Sequence, residues 1–226
     1  MAVLIMGLIF QAVVYANVRV VALKGDVSVR HGVHEEWLSV AKGDVLKPDD
    51  SIRLGKGASA TILTDENNRL TLPEMVIIDL ADLRNLTQEE LMLTLAMERV
   101  RSLPDRQRDN DFTIPHTTTT HGAEKEIVAS SVQSQEENGN LAINGVKVLY
   151  NNGYYATCVL RAKQIFRIVP ETAKRIDARL LVASALEKID LREEALSEYT
   201  DLSNENLSQP DKDRVEKKIS ELKKHQ

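Results

Sequence analysis

Gly153-Tyr154-Tyr155-Ala156-Thr157-Cys158-Val159-Leu160, continuing through Ala162, Ile165 and Phe166 to Val169 and Pro170, is the stretch on which the fold turns. A glycine that can leave a helix is followed by an aromatic, a small residue, an apolar stripe at helical spacing and a proline that stops it. Asp190, Arg192, Ala195 and Tyr199 repeat that order, starting 37 residues after Gly153. Self-similarity at a fixed period of roughly 20–50 residues marks stacked helix pairs. Such stacks build binding surfaces and rarely carry chemistry.

Around this stretch the apolar period is 3.6. Tyr155, Cys158, Val159, Ala162, Ile165, Phe166 and Val169 form one stripe from the region that opens at Leu141. Ile176, Leu180, Ala183 and Leu186 form a second, and Ala195, Tyr199 and Leu202 a third. A last helix has Pro210 at its start, Asp211 and Asp213 in its first turn, and Lys223-Lys224 at its end, which suits the helix dipole. Its narrow seam of Val215, Ile219 and Leu222 suits a cap that closes a stack. The pattern resembles tetratricopeptide repeats: Gly153, Tyr155 and Pro170 match the turn glycine, aromatic and closing proline, and Ala195 and Tyr199 match in the second unit. Cys158 stands in place of the usual alanine, Asp190 replaces the second turn glycine, and Leu207 stands where a second proline would close the repeat. The resemblance implies a groove on the inner helices that reads a partner peptide, with Lys147, Tyr150, Asn151, Arg179 and Ser184 placed to line it. Two units fall short of the roughly three that stacks usually need. The missing layer must come from the capping helix, from the helix that starts at Gln88, or from self-association.

Upstream, from Asn17 to about Asp79, the period is two. Val18, Val20 and Ala22 alternate with Arg19, Val21 and Leu23, and Val27/Val29, Ala58/Ala60/Ile62, Leu70/Leu72 and Val76/Ile78 follow suit. Turn chemistry at Lys24-Gly25-Asp26, His31-Gly32, Lys42-Gly43-Asp44, Lys47-Pro48-Asp49-Asp50, Gly55-Lys56-Gly57 and Asp65-Glu66-Asn67-Asn68 separates short strands. The expectation is a mainly β sandwich or roll. Gly25-Asp26-Val27-Ser28-Val29, Trp37, Gly43-Asp44-Val45-Leu46, Asp50-Ser51-Ile52 and Ala58-Ser59-Ala60 together resemble the FecR-type domain of bacterial sensor and envelope proteins. That resemblance implies an all-β module, periplasmic or secreted, that scaffolds or transmits through contacts. The family's usual transmembrane helix and cytoplasmic sigma-regulating segment do not precede it here. Trp37, the only tryptophan, is expected to plug the β core, with a partner contact as the other reading.

Between the two halves, Thr87 and Glu90 form a capping box for a helix over residues 88–103, with Leu91, Leu95 and Met92 toward a core and Pro104 as the stop. Phe112-Thr113-Ile114 reads as a strand, and residues 116–139 as a polar linker with an extended piece at Ile127 to Val132. At the other end, Ala2 to Tyr15 is apolar except for Gln11, and Val14-Tyr15-Ala16 offers a signal-peptidase site before Asn17. Residues 1–16 are therefore expected to direct export and be cleaved, leaving a periplasmic or secreted protein; a buried strand or an uncleaved anchor are the other readings. The expected layout is thus two-domain: a FecR-like β domain over 17–115 that includes the helix at 88–103, and an all-α helical-repeat domain with its cap over 140–226.

The 226 residues carry a net charge of −5, which argues against nucleic acid, whose phosphates need a basic surface, and only 4% aromatics, which leaves stacking platforms for bases or sugars scarce. One cysteine excludes an intramolecular disulfide. His31 and His34 read as turn residues, His116 and His121 as flanks of the Thr117–Thr120 run, and Cys158 as a small core hydrophobe. The acids Asp26, Asp44, Asp49, Asp50, Asp65 and Glu66 fall in turns, where aspartate bonds its own backbone. No catalytic set, cofactor motif or metal-ligand set emerges. The sequence points to a non-enzymatic binding or scaffolding protein of the bacterial envelope, whose helical part grips a protein partner and whose β part contacts a second envelope component or a glycan. The alternative is a sensor that acts through its FecR-like domain. An enzyme would need a pocket that sets His31 or His116 against two of the acids.

Overall fold

The computed structural model describes residues 17–34, 36–65, 67–102 and 124–224. The expected signal peptide, the strand at Phe112, and His116, His121 and the threonine run lie outside them. The N-terminal region holds eight strands: β1 (Val18–Lys24), β2 (Val27–Arg30), β3 (Leu38–Ser39), β4 (Val45–Leu46), β5 (Ser51–Leu54), β6 (Ser59–Leu63), β7 (Arg69–Leu72) and β8 (Val76–Asp79). They form two antiparallel four-stranded sheets, ordered β4-β1-β6-β7 and β3-β2-β5-β8. The alternation explains the layering. Val20, Ile62 and Leu72 from the first sheet and Ile52, Leu54 and Val76 from the second are fully buried in one core. Gly25, at φ +77°, lets the β1–β2 turn lie on Ala58; a Cβ there would sit 2.9 Å from the Ala58 Cα.

The alternation fails at one point. The β1–β6 register shifts between Val20 and Ala22, so Ala22 is exposed and Leu23 packs toward the core. A bulge inserts one residue and turns every later side chain over. Trp37 corrects a second expectation. It is half-buried and takes no part in the apolar core; its indole lies over the guanidiniums of Arg53 and Arg30, at 4.5 and 5.2 Å from the ring centroid. Val29, Ile52 and Val40 already fill the inner side of that sheet, so the tryptophan lies on its outer face.

The C-terminal region is all-helical: α1 (Gln88–Ser102), α2 (Glu124–Asn151), α3 (Tyr155–Ile168), α4 (Ile176–Lys188), α5 (Arg192–Ser203) and α6 (Gln209–Lys223). The Thr87 capping box is formed in both directions, Glu90 N–H to Thr87 Oγ1 at 3.1 Å and Thr87 N–H to Glu90 Oε2 at 2.9 Å. Leu91 is buried and Leu95 half-buried, but Met92 is exposed, and the buried polar residue of α1 is Glu98. Leu93, Met97 and Val100 face outward as well. In place of a linker through residue 139, α2 is already helical from Glu124, and the piece expected to be extended at Ile127 is part of that helix.

Sequence neighbours pack in series, α2 on α3, α3 on α4, α4 on α5 and α5 on α6. The two expected helix-pair turns have the same geometry. Gly153 is at φ +84° and Asp190 at φ +60°. In the first, Gly153 N–H bonds Tyr150 O and Tyr154 N–H bonds Leu149 O; in the second, Asp190 N–H bonds Glu187 O and Leu191 N–H bonds Leu186 O. This is a left-handed C-cap with a six-to-one closing bond. Aspartate tolerates the left-handed region, and its carboxylate accepts from Arg192 Nε at 2.8 Å. Cys158 and Ala195 occupy equivalent, fully buried slots. The missing packing layer comes from two sides, since α1 packs on α3 and α6 on α5.

The β region and the helices touch directly. α2 packs against β8, where the backbone of Gly145 meets the strand; a Cβ on Gly145 would fall 2.1 Å from the Ile77 carbonyl oxygen. Asn144 Nδ2 donates to Met75 O at 2.8 Å, and Thr157 Oγ1 to Arg84 O at 2.7 Å. Arg161 of α3 pairs with Asp79 and, at 3.3 Å, with Asp82 in the 3-10 turn after β8. Among the described residues no helix is long and apolar enough to cross a membrane.

Candidate binding groove

The first helix of each pair, α2 and α4, together with α6, frames a groove of about 260 Å³. Its lining is Tyr150, Ile176, Asp177, Leu180, Leu181, Ser184, Asp211 and Arg214. The helical period explains the α4 contribution, because Asp177, Leu181 and Ser184 recur at i, i+4 and i+7 on one face. Ser208 caps α6 by accepting from Asp211 N–H at 3.4 Å, and its hydroxyl donates to the Asp211 carboxylate at 2.6 Å. That first turn sets Asp211 and, three residues on, Arg214 along the groove edge.

The floor is apolar, with Leu180 buried and Ile176 and Leu181 half-buried. One wall is the Tyr150–Ser184 hydroxyl pair at 2.7 Å, with Tyr150 also edge-on to Tyr155 at 5.2 Å between ring centroids. One hydroxyl donates to the other, which leaves one O–H to donate elsewhere. Asp177 is committed already, bound by Lys147 Nζ at 2.6 Å and Arg175 Nη2 at 2.9 Å. Burial alone would raise its carboxyl, but these two hydrogen-bonded cations hold it well below the usual carboxylate range. The groove thus offers donors, a charged guanidinium at Arg214 and an apolar floor.

Of the residues expected from sequence, Tyr150 and Ser184 meet in this groove, and Lys147 stands beside it through Asp177. Arg179 does not line it; its guanidinium reaches Glu205 just past α5, at 2.7 Å. Asn151 is exposed at the end of α2, and Trp37 lies on the β region. Sequence reasoning missed Ile176, Leu180 and Leu181 as floor, and Asp211 and Arg214 because α6 reads as a cap alone. The i, i+4, i+7 spacing through Leu181 was the available signal.

Two other concavities differ in character. One of about 320 Å³ between α1, α3 and α5 is edged by ion pairs that satisfy each other, Lys163 with Glu198 and Arg167 with the buried Glu98 at 2.8 Å. The other, about 550 Å³, lies between His31–His34 and Lys47–Asp50. His31 is more than a solvated turn residue: its Nδ1 is 2.9 Å from Oδ1 of Asp50, whose side chain is buried and also accepts from Lys47 N–H at 2.8 Å. Asp49, on the same rim, lies toward Gly32 and makes no bond to the ring. Among the described residues no three His, Cys, Asp or Glu side chains come together to hold a metal. Cys158 is fully buried, and burial pushes its thiol up to about 12, far from a reactive thiolate. Comparison with family models, with curated proteins and with solved structures returns no match.

Proposed function

We propose that this chain is an exported, non-enzymatic binding protein of the bacterial envelope, and that the α2–α4–α6 groove grips an extended segment of a protein partner. One observation carries the proposal. The first helices of two pairs with identical turns, plus the capping helix, frame a groove with an apolar floor and hydrogen-bond donors at its walls. An extended peptide presents the complement, main-chain carbonyls that accept and side chains that fill an apolar slot. The shared turn geometry and the equivalent Cys158 and Ala195 slots support the tetratricopeptide-like reading. The two-sheet architecture supports the FecR-like one, and the apolar run before Asn17 supports export. In this reading the β region contacts a second envelope component.

A sensing role is favoured by a separate observation, the Asp79–Arg161–Asp82 cluster and the Gly145 contact, which tie the sheet rigidly to α2 and α3. A signal felt by the β region would then reach the groove through packed elements.

Panning a library of random linear peptides against the full chain tests the groove. Selected peptides should lose at least tenfold in affinity for Leu181→Glu and for Arg214→Glu while circular dichroism of the variants is unchanged. Equal affinity for wild type and both variants would overturn it. Sequencing the mature amino terminus tests export: Asn17 as the first residue is expected, and an intact Met1 on soluble cytoplasmic protein sinks the export claim.

A further inference from the structure

The outer face of the β3-β2-β5-β8 sheet holds a cluster that the helical groove does not use. Arg30 on β2 and Arg53 on β5 project from this face on adjacent strands; Ser28 is opposite Arg53 and Arg30 opposite Ser51, so the two arginines are diagonal neighbours. The indole of Trp37 lies across both. Arg53 Nε donates to Ser28 Oγ at 3.3 Å and Arg30 Nη2 to Ser51 Oγ at 3.2 Å. Ser28 and Ser51 are buried, and Ser51 is itself fixed by its bond to Asp79 at 2.5 Å. Both guanidiniums are therefore held in place by serines of the sheet and by the indole.

What they lack among the described residues is a counter-charge. Arg84, Arg161, Arg167, Arg175, Arg179 and Arg192 each pair with a carboxylate. Neither Arg30 nor Arg53 has a carboxylate within ion-pair distance among the described residues, although the chain is acidic overall. Arg30 Nε is buried with no hydrogen-bond partner among the described residues. Two like charges held side by side raise the energy of the free protein, and an anion bound by both guanidiniums relieves that repulsion. Guanidinium forks match a carboxylate in two parallel bonds. Beside them the indole, packed against both guanidiniums and only half-buried, leaves part of its apolar surface exposed.

We propose that this face binds an acidic saccharide, with a sugar carboxylate bound by the Arg30 and Arg53 guanidiniums and the apolar face of the pyranose ring against the exposed part of Trp37. The proposal deepens the expectation that the β region contacts a glycan, and it stands or falls independently of the helical groove. The indole supplies what a bare charge pair does not, a planar surface that rewards a ring. An acidic peptide shares only the charge.

Trp37 is the chain's only tryptophan, so its fluorescence reports on this site alone. The full chain is titrated with a tetramer of galacturonic acid, with a neutral hexose tetramer, with tetraglutamate and with inorganic sulfate. The expected result is saturable quenching by the galacturonate tetramer that weakens with added salt, with at least tenfold weaker effects of the other three. Arg53→Gln should weaken the galacturonate response at least tenfold, Arg53→Lys should restore part of it, and Leu181→Glu in the helical groove should leave it unchanged. Tetraglutamate or sulfate binding as tightly as the uronate would overturn the saccharide assignment, and so would no response to the uronate tetramer by the wild-type protein.

Discussion

The two helix pairs, α2/α3 and α4/α5, share a turn and differ in almost everything the turn connects. At positions 37 residues apart, Gly145 of the first corresponds to Val182 of the second, Arg161 to Glu198, and Ala162 to Tyr199. The first pair is clamped between α1 and the β8 strand, so it needs a bare backbone at Gly145 and a cation at Arg161 to meet the sheet. Among the described residues the second pair has no comparable packing on a strand. It carries a buried valine where the first has glycine, and it fills its core with a fully buried tyrosine where the first has alanine. The lesson is that a repeat can keep its backbone while each copy rewrites its side chains for the neighbour it has.

Substitutions that exchange these solutions break the comparison at its strongest points. Tyr199 is fully buried, and its hydroxyl donates to Glu187 at 2.6 Å. Replacing it with alanine, the residue of the first pair, should cost about 3–5 kcal/mol in urea unfolding. A loss below 1 kcal/mol would mean the second pair does not depend on that side chain. Gly145→Val copies the second pair into the first and drives a branched side chain into the Ile77 carbonyl. Overpacking of this kind costs about 1–3 kcal/mol or more, and urea unfolding should show it. An unchanged midpoint would mean that α2 does not sit on β8 as described.

The pH dependence should lie with the first pair. Burial is the main cause that pushes the Asp82 carboxyl up from 3.8 to about 6; neighbouring Asp79 adds to the rise, while Arg161 and Arg84 oppose it. An acid whose folded value is raised binds more protons folded than unfolded, so stability falls as pH rises through the window from about 4 to about 6. The loss expected from this one group is about 1–3 kcal/mol. Chemical unfolding across that window should show it in the wild type and a flatter profile in Asp82→Asn; superimposable profiles would acquit Asp82. The smallest effect separates the two turns themselves. Gly153→Ala meets nothing within 4 Å but forces a side chain to φ +84°, at about 1 kcal/mol. Asp190→Gly relieves the same backbone strain and loses only an exposed bond to Arg192, so its midpoint should stay within about 0.5 kcal/mol. A larger loss at Asp190 than at Gly153 would reverse the reading of these turns.

The legible part of this fold was whatever is written locally. Alternation at Ala58, Ala60 and Ile62 needs only its own strand, and the Thr87–Glu90 capping box and the stripe through Cys158 and Ala162 need only their own helix. The Val20–Ala22 bulge was not legible, because the register shift is set against β6. The helical start of α2 was hidden by its polar serines and glutamines and by Gly139, where the expected linker ends. Gly139 and Gly145 are helical residues that admit close neighbours, Val169 and Thr172 for one and the Ile77 carbonyl for the other. Trp37 escaped for a similar reason, since nothing in its own segment says that Arg30 and Arg53 will lie beneath it. In the groove, Tyr150 and Ser184 were found by their position on inner helices. Arg214 was not, since the third wall comes from a helix whose composition announces only a cap.

The contact between Gly145 and Ile77 bears on how the molecule comes apart. Buried apolar residues form one continuous cluster from Val18 in the first strand to Leu222 in the last helix. A core shared by sheet and helices should come apart as one, so heating should release both in a single calorimetric transition. The helical region is consequently a poor candidate for life as a transplanted module. Cut free of the sheet, it would present Val146 and Leu149 of α2 beside a helix face shaped to receive a strand, and its thermal behaviour would report the lost neighbour as much as its own packing.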